Sequence, residues 1–365
     1  MSDFCPIRRV DHLELYVGNA KQAAAFYSDR LGFAVAGYRG LETGSRNTAS
    51  YLMTQGDIRF VLTGALTPED PVARFVYQHG DGVAAIALEV PDARQAFDEA
   101  TLRGAVPALQ PVEMADDSGI LRVAAIRGYG DTVIKFIERD DYAGAFSPGF
   151  RKLERATAPT EGAGLIAVDH IVGNVELGQM DRWVRFFAET MGFSQLVHFD
   201  DKKISTEYSA LMSKVMQDGT GRIKFPINEP APGRRKSQIE EYLEYYHGPG
   251  VQHIALATDD IVRTVSVLRN KGVEFLQVPR TYYEELEARV GKIDEPVDVL
   301  ADLGILADSD DEGYLLQIFT EPVQDRPTLF FEVIERRGSR GFGAGNFKSL
   351  FEAIEREQAR RGNLV

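Results

Sequence analysis

Cysteine is nearly absent: Cys5 stands alone among 365 residues. No disulfide can form within the chain and no thiolate metal site can be built, and a reducing, cytoplasmic setting is expected. No apolar run approaches the about 18 residues that a membrane-spanning helix needs. The N-terminus, Met-Ser-Asp-Phe-Cys-Pro, has no basic region followed by an apolar stretch, so a signal peptide is not expected there. Basic residues are in deficit, with 41 Lys and Arg against 55 Asp and Glu for a net charge of −14. That balance gives no surplus to neutralise phosphates, which argues against a nucleic-acid partner. What remains, 44% hydrophobic and 26% charged residues, is the composition of a soluble globular protein. The length suffices for two domains, each with its own core.

The two halves of the chain share one plan. Val10-Asp11-His12 opens the first and Val168-Asp169-His170 the second. A helical segment follows each, ending at Gly32-Phe33 or Gly192-Phe193. In the second of these, Met180, Trp183, Val184 and Phe187 recur at helical spacing and form one apolar face. Val83–Val90 aligns without gaps with Val251–Thr258, and each run leads through Asp92 or Asp260 into a helix predicted to close at Gly104 or Gly272. A third match pairs Val133–Arg139 with Phe330–Arg336. The expected fold is α+β, with two domains of repeated βαβββ modules forming open, barrel-like curled sheets, plus a C-terminal helix. The boundaries are 1–153 and 164–365, joined by a polar stretch containing Pro and Gly.

Three residues of the second half carry the chemistry. His170, His253 and Glu332 each sit in an apolar, strand-like run. Two histidines and one carboxylate are the set that holds a divalent iron by one face and leaves the other positions open. The repeat aligns His12 with His170, but Ala85 with His253 and Lys135 with Glu332. The first half therefore lacks the set, and its domain is expected to be structural or an interface, with His12 a vestige. A buried Glu332 without a partner would be expensive, and a metal is a reasonable partner.

Seven motifs in order, among them Val168–Val175, Phe225–Pro230, Gly248–Leu256, Leu329–Glu335 and Gly341–Phe347, resemble those of the 4-hydroxyphenylpyruvate dioxygenases, two-domain members of the vicinal oxygen chelate superfamily. The resemblance covers nearly the whole chain. It implies Fe(II) on His170, His253 and Glu332. It implies that Ser209, Asn228, Gln238, Gln252 and Gln317 orient the substrate, and that Pro226, Phe319, Phe330, Phe342, Asn346 and Phe347 line or close its cavity. The implied reaction converts 4-hydroxyphenylpyruvate and O2 to homogentisate and CO2, in a homo-oligomer that is a dimer or tetramer. Physical chemistry suits these residue types. Phe330 and Glu332 share a side of one strand, as do Gln317 and Phe319. Phenylalanines exclude water and hold a ring, and neutral amides orient a phenol or a carboxylate without adding charge.

The alternative with the same fold, metal and substrate is 4-hydroxymandelate synthase, which hydroxylates the benzylic carbon. Pro226 and Asn228 look like the ring-hydroxylating branch. More distant rivals are an extradiol dioxygenase, a glyoxalase-like isomerase and a ligand-sequestering protein. His79, His198 and His247 are expected to be structural or solvent-facing. Glu335 is a weaker ligand candidate, because its counterpart Glu138 stands in the half without the set. The glycine-rich Gly341–Gly345 lacks the full dinucleotide signature and is expected to connect to the last helix. That helix, from about Asn346 to Arg360, places Phe347, Leu350, Phe351 and Ile354 on one face and is expected to act as a lid. The acidic run Asp308–Glu312 is expected to be a turn.

Overall fold

The computed structural model describes residues 4–153, 162–199, 210–231 and 236–363. Among these, the strands form two sheets. A nine-stranded sheet takes its strands from residues 9–152 and an eight-stranded one from 165–337. Both are curled, with helices packed on them.

Each sheet is built from two βαβββ modules, to which the first adds a short edge strand, Arg151–Lys152. In the second sheet the first module runs from the strand Leu165–Asn174 through the helix Met180–Met191 to the strands Ser194–Phe199, Ala210–Gln217 and Lys224–Ala231. The second runs from Gly250–Thr258 through the helix Ile261–Asn270 to Leu306–Asp310, Gly313–Phe319 and Phe330–Arg337. Within a module the first strand pairs parallel with the last, and the two first strands pair antiparallel at the centre. The first sheet repeats this pairing. The central strands are buried on both faces, which explains their near-continuous apolar sequence. The module ending at Phe330–Arg337 also carries an insertion with two short helices, Leu286–Val290 and Val297–Leu303, which no periodicity in the sequence announces.

The predicted helices form where their caps stand. Asp92 and Asp260 accept the N–H of Gln95 and Arg263 at the starts of Ala93–Leu102 and Ile261–Asn270. Gly104 and Gly272 follow the ends with φ of +101° and +82°, where a Cβ would be strained. The face of Met180–Met191 buries Met180, Trp183 and Phe187, as its spacing predicts. No described helix is long and apolar enough to cross a membrane.

One continuous apolar core includes residues of both sheets. Phe331 projects away from the Glu332 side of its strand into the first half, stacking on Phe60 at 6.0 Å and meeting the edge of Tyr27 at 6.0 Å. His79 belongs to the same seam: it is buried, with Nδ1 2.5 Å from the Tyr246 carbonyl oxygen. His247 is exposed in a left-handed cap. The side chain of His198 lies outside the described residues.

Candidate metal centre

The three predicted donors meet because of strand register. His170 lies opposite Ala255 across the antiparallel pair, and Ala255 lies opposite Glu332 across the parallel pair. Residues in one cross-strand row face the same side, and so does His253, two positions before Ala255. The alanine between them leaves space over the row, which the longer side chains fill. His170 Nε2 comes within 3.1 Å of Glu332 Oε2, and His253 Nε2 within 3.5 Å of the same oxygen. All three donor atoms lie within 4.8 Å of one another and all three residues are buried; among the described residues no other such group of His, Cys, Asp or Glu is gathered. Donors about 2.1 Å from one shared ion sit about 3.0 Å apart at right angles and about 3.4 Å apart in a tetrahedron. The donor set and its spacing fit a metal ion.

The electrostatics agree. Burial pushes the Glu332 carboxyl up, but the two histidines outweigh it and hold the group down at about 2. Burial works against charge on both rings; Glu332 and Asp169 outweigh it at His170, whereas burial prevails at His253. An ionised carboxylate suits metal binding, and an ion that takes the place of the proton between His170 Nε2 and Glu332 would release that proton.

Each histidine is fixed from behind by the residue before it. Asp169 and Gln252 are both skipped in the strand register, so each is the extra residue of a β-bulge. The bulge turns its side chain toward its neighbour. Asp169 Oδ1 lies 2.7 Å from His170 Nδ1, and Gln252 Oε1 lies 3.0 Å from His253 Nδ1. Each oxygen accepts the proton that Nδ1 carries when Nε2 binds metal. Arg336 pairs with Asp169 through Nε and Nη2, at 2.7 and 2.8 Å. Burial raises the Asp169 carboxyl, but the hydrogen bonds from Arg336 and His170 hold it well below the usual range.

The first half has the same row, His12–Ala87–Lys135, with different contents. Lys135 Nζ donates to Glu14 at 2.5 Å, and Glu14 accepts from Thr63 at 2.9 Å. An internal ion pair occupies the place that the donors hold in the second half. Glu335 and Glu138 play one structural part, accepting the N–H of Ile261 and Ala93 at helix starts, so Glu335 is not gathered with the donors.

Aromatic rings wall the centre. Phe330 stacks on His253 at 4.8 Å, Phe319 meets it edge-on at 5.9 Å, and Phe342 meets His170 at 5.2 Å. Phe319 lies directly opposite Glu332, and Gln317 is two positions before it on the same face. A small cavity opens beside Phe330, with Gln238, Gln252, Thr320 and Ile354 among its walls. Phe225 and Ile227 point into the core, so Pro226 and Asn228 turn to the opposite face. Val215, across from Pro226, packs there with Ile239, Phe342 and Phe347. Asn346 is buried; its Oδ1 accepts from Tyr282 at 2.5 Å, and its Nδ2 has no partner among the described residues. Ser209 lies outside the described residues.

The helix Phe347–Arg360 lays Leu350, Ala353 and Ile354 on Phe319 and Phe330, covering the aromatic wall. The acidic run beneath it makes the expected turn between strands at Asp311 and Glu312, and its first residues do more. Asp308 and Asp310 belong to the strand Leu306–Asp310 and hold the approach to the last helix, accepting from the backbone N–H of Gly345, Arg340 and Gly341. Carboxylates on an edge strand can satisfy loop amides that would otherwise lie unpaired, which the sequence pattern does not distinguish from a solvated turn.

Residues 14–147 match the family model described as hydroxyphenylpyruvate dioxygenase, N-terminal, and residues 167–318 that of the glyoxalase/bleomycin resistance protein/dioxygenase superfamily. The chain is 47% identical to 4-hydroxyphenylpyruvate dioxygenase of Aspergillus fumigatus, over 100% of this chain and 96% of that protein. It belongs to the 4-hydroxyphenylpyruvate dioxygenase family. A Dictyostelium discoideum member is also 47% identical, over 97% of this chain and 99% of its own. Among solved structures, a mutant 4-hydroxymandelate synthase from Streptomyces coelicolor superimposes with a TM-score of 0.86 at 33% identity, covering 97% of this chain and 99% of that one. The vicinal oxygen chelate fold expected from the repeats is therefore the fold observed.

Proposed function

We propose that the chain is an Fe(II)-dependent 4-hydroxyphenylpyruvate dioxygenase, which converts 4-hydroxyphenylpyruvate and O2 to homogentisate and CO2. The observation that carries this is the convergence of His170, His253 and Glu332 over Ala255 beneath a phenylalanine wall. A bound Fe(II) supplies the open positions where a 2-oxo acid and dioxygen meet and the redox chemistry of their reaction.

The protein residues supply the rest. Asp169 and Gln252 hold the two rings in the tautomer that leaves Nε2 free. Phe330 and Phe319 receive the substrate ring and exclude water, with offset and edge contacts worth roughly 0.5–1.5 kcal/mol beyond area burial. Gln238, Gln317 and Asn228 present amides to the phenol or carboxylate, and the Nδ2 of Asn346 is a buried donor open to a ligand. Phe342 and Phe347 close the site with the last helix. The first domain, 1–153, buttresses the Glu332 strand through Phe60 and Phe331. A homo-oligomer and a cytoplasmic location belong to the same reading, and light scattering and cell fractionation test them.

The solved neighbour favours one second reading, benzylic hydroxylation to 4-hydroxymandelate. Pro226 and Asn228, which resemble the ring-hydroxylating branch, support the ring reaction. Chromatography of the product from iron-loaded protein decides: homogentisate is expected, and 4-hydroxymandelate would reverse the assignment.

A further inference from the structure

A set of four side chains occurs twice in this chain. In the second half Arg336 grips Asp169 with two nitrogens, and Asp169 accepts from the Nδ1 of His170. Arg336 Nη1 donates onward to the carbonyls of Gly341 at 2.6 Å and Ser339 at 3.3 Å. Its guanidinium lies 5.5 Å from the centre of the Phe342 ring, and that ring sets its edge against His170. In the first half Arg139 grips Asp11, Asp11 Oδ1 lies 2.5 Å from His12 Nδ1, and Arg139 donates onward to the Phe146 carbonyl. Its guanidinium lies 4.8 Å from the Phe146 ring, which meets His12 edge-on at 4.9 Å. In both halves the segment that leaves the last strand is fastened to the histidine of the first strand.

The two copies differ in what they join. The first has Ala85 and Lys135 in the donor positions, so the unit assembles without any metal. The second ends at one side on a metal donor, and at the other on the loop that leads into the helix Phe347–Arg360. The other described fastenings of that loop, from Asp308, Asp310, Tyr282 and Arg289, do not touch a metal donor.

We infer that Asp169 and Arg336 are positioning residues that couple occupancy of the metal site to closure of the C-terminal helix. The inference rests on the reading of His170, His253 and Glu332 as a metal site. An ion held by Nε2 fixes the His170 ring, and with it the direction of the Nδ1 proton. Asp169 then has one orientation, and the planar fork of Arg336 transmits it to the Gly341 carbonyl. By linkage, a closed helix must favour the bound ion by the same factor by which the ion favours closure. A lysine at 336 can pair with Asp169 but, as a point charge, cannot also span the loop carbonyls.

Hydrogen–deuterium exchange of the peptide covering 343–363, in the whole protein with and without Co(II) alone, tests this. In the wild type Co(II) is expected to slow exchange in 347–360 about fivefold or more. R336K is expected to bind Co(II) nearly as well yet lose that protection, whereas R139K, in the metal-free copy, keeps it. D169N, which retains an acceptor for His170 but not the charge for Arg336, is expected to bind Co(II) more weakly and, at saturating Co(II), to lack the same protection, which keeps the test open should R336K fail to fold. If Co(II) binds and R336K and D169N show wild-type protection, the coupling is overturned and the metal site stands. If Co(II) does not bind the wild type, the metal reading falls and the coupling with it.

Discussion

Ala255 is the residue on which the geometry of the centre turns, and A255L tests it. Neighbouring strands lie about 4.8 Å apart, so the main chains bearing His170 and Glu332 are about 9.6 Å apart with Ala255 between them. The donors reach across that gap to within 4.8 Å of one another. Any atom placed among three points so spaced lies within about 2.8 Å of them, inside the about 3.5 Å at which carbon and another heavy atom touch. Leucine extends about 2.5 Å past its Cβ into this space. Its methyls must therefore spread the donors apart, and an ion cannot share the space. Co(II) affinity is expected to fall at least about 100-fold, or about 2.8 kcal/mol, alongside an overpacking cost of about 1–3 kcal/mol. A87L changes the equivalent alanine of the first half, in the row His12–Ala87–Lys135, and controls for the overpacking. It is expected to lose stability without losing metal. Calorimetric titration and urea unfolding read the two quantities separately. An A255L protein that binds Co(II) as tightly as the wild type refutes the geometry.

Three further outcomes are expected. F331A removes a fully buried ring that stacks on Phe60, and should cost about 3–5 kcal/mol in denaturant unfolding; a loss under about 1 kcal/mol would mean that the two halves do not support one another there. Q252L removes the acceptor behind His253 and should weaken Co(II) about 10–100-fold, whereas unchanged affinity would make Gln252 a cavity wall alone. In metal-free protein the Glu332 carboxyl is lowered from 4.5 to about 2. A depressed carboxyl contributes stability that is fully present above its unfolded value and is lost as pH falls toward the folded one. The wild-type advantage over E332Q, on the order of 3 kcal/mol, should therefore shrink between pH 4.5 and pH 2, and a constant difference across that window would contradict the assignment.

The fold was legible because it is repeated. Two copies of Val-Asp-His, two gapless strand matches and four glycine-ended helices mark four modules in the sequence. The donors were legible for the same reason, since the first copy shows which positions are chemistry and which are scaffold. The bulges at Asp169 and Gln252 were not legible. A bulge changes which neighbour a side chain meets without changing composition or period, so the acceptors behind both rings stayed hidden although each stands next to its histidine in sequence. Ala255 carried no signal either, because its part is to be small at a position fixed by register between distant strands. The turn in the acidic run was legible, but the anchoring by Asp308 and Asp310 was not, because their loop partners are about 30 residues away or more.

The central claim is one iron site per chain, in the second half, acting on an aromatic 2-oxo acid. Anaerobic Fe(II) titration followed by admission of O2 with 4-hydroxyphenylpyruvate tests it most directly. One equivalent of iron bound per chain, lost in H253A, and Fe(II)-dependent oxygen uptake with release of homogentisate are the results predicted. Binding unaffected by H253A, or no Fe(II)-dependent oxygen uptake, would contradict it.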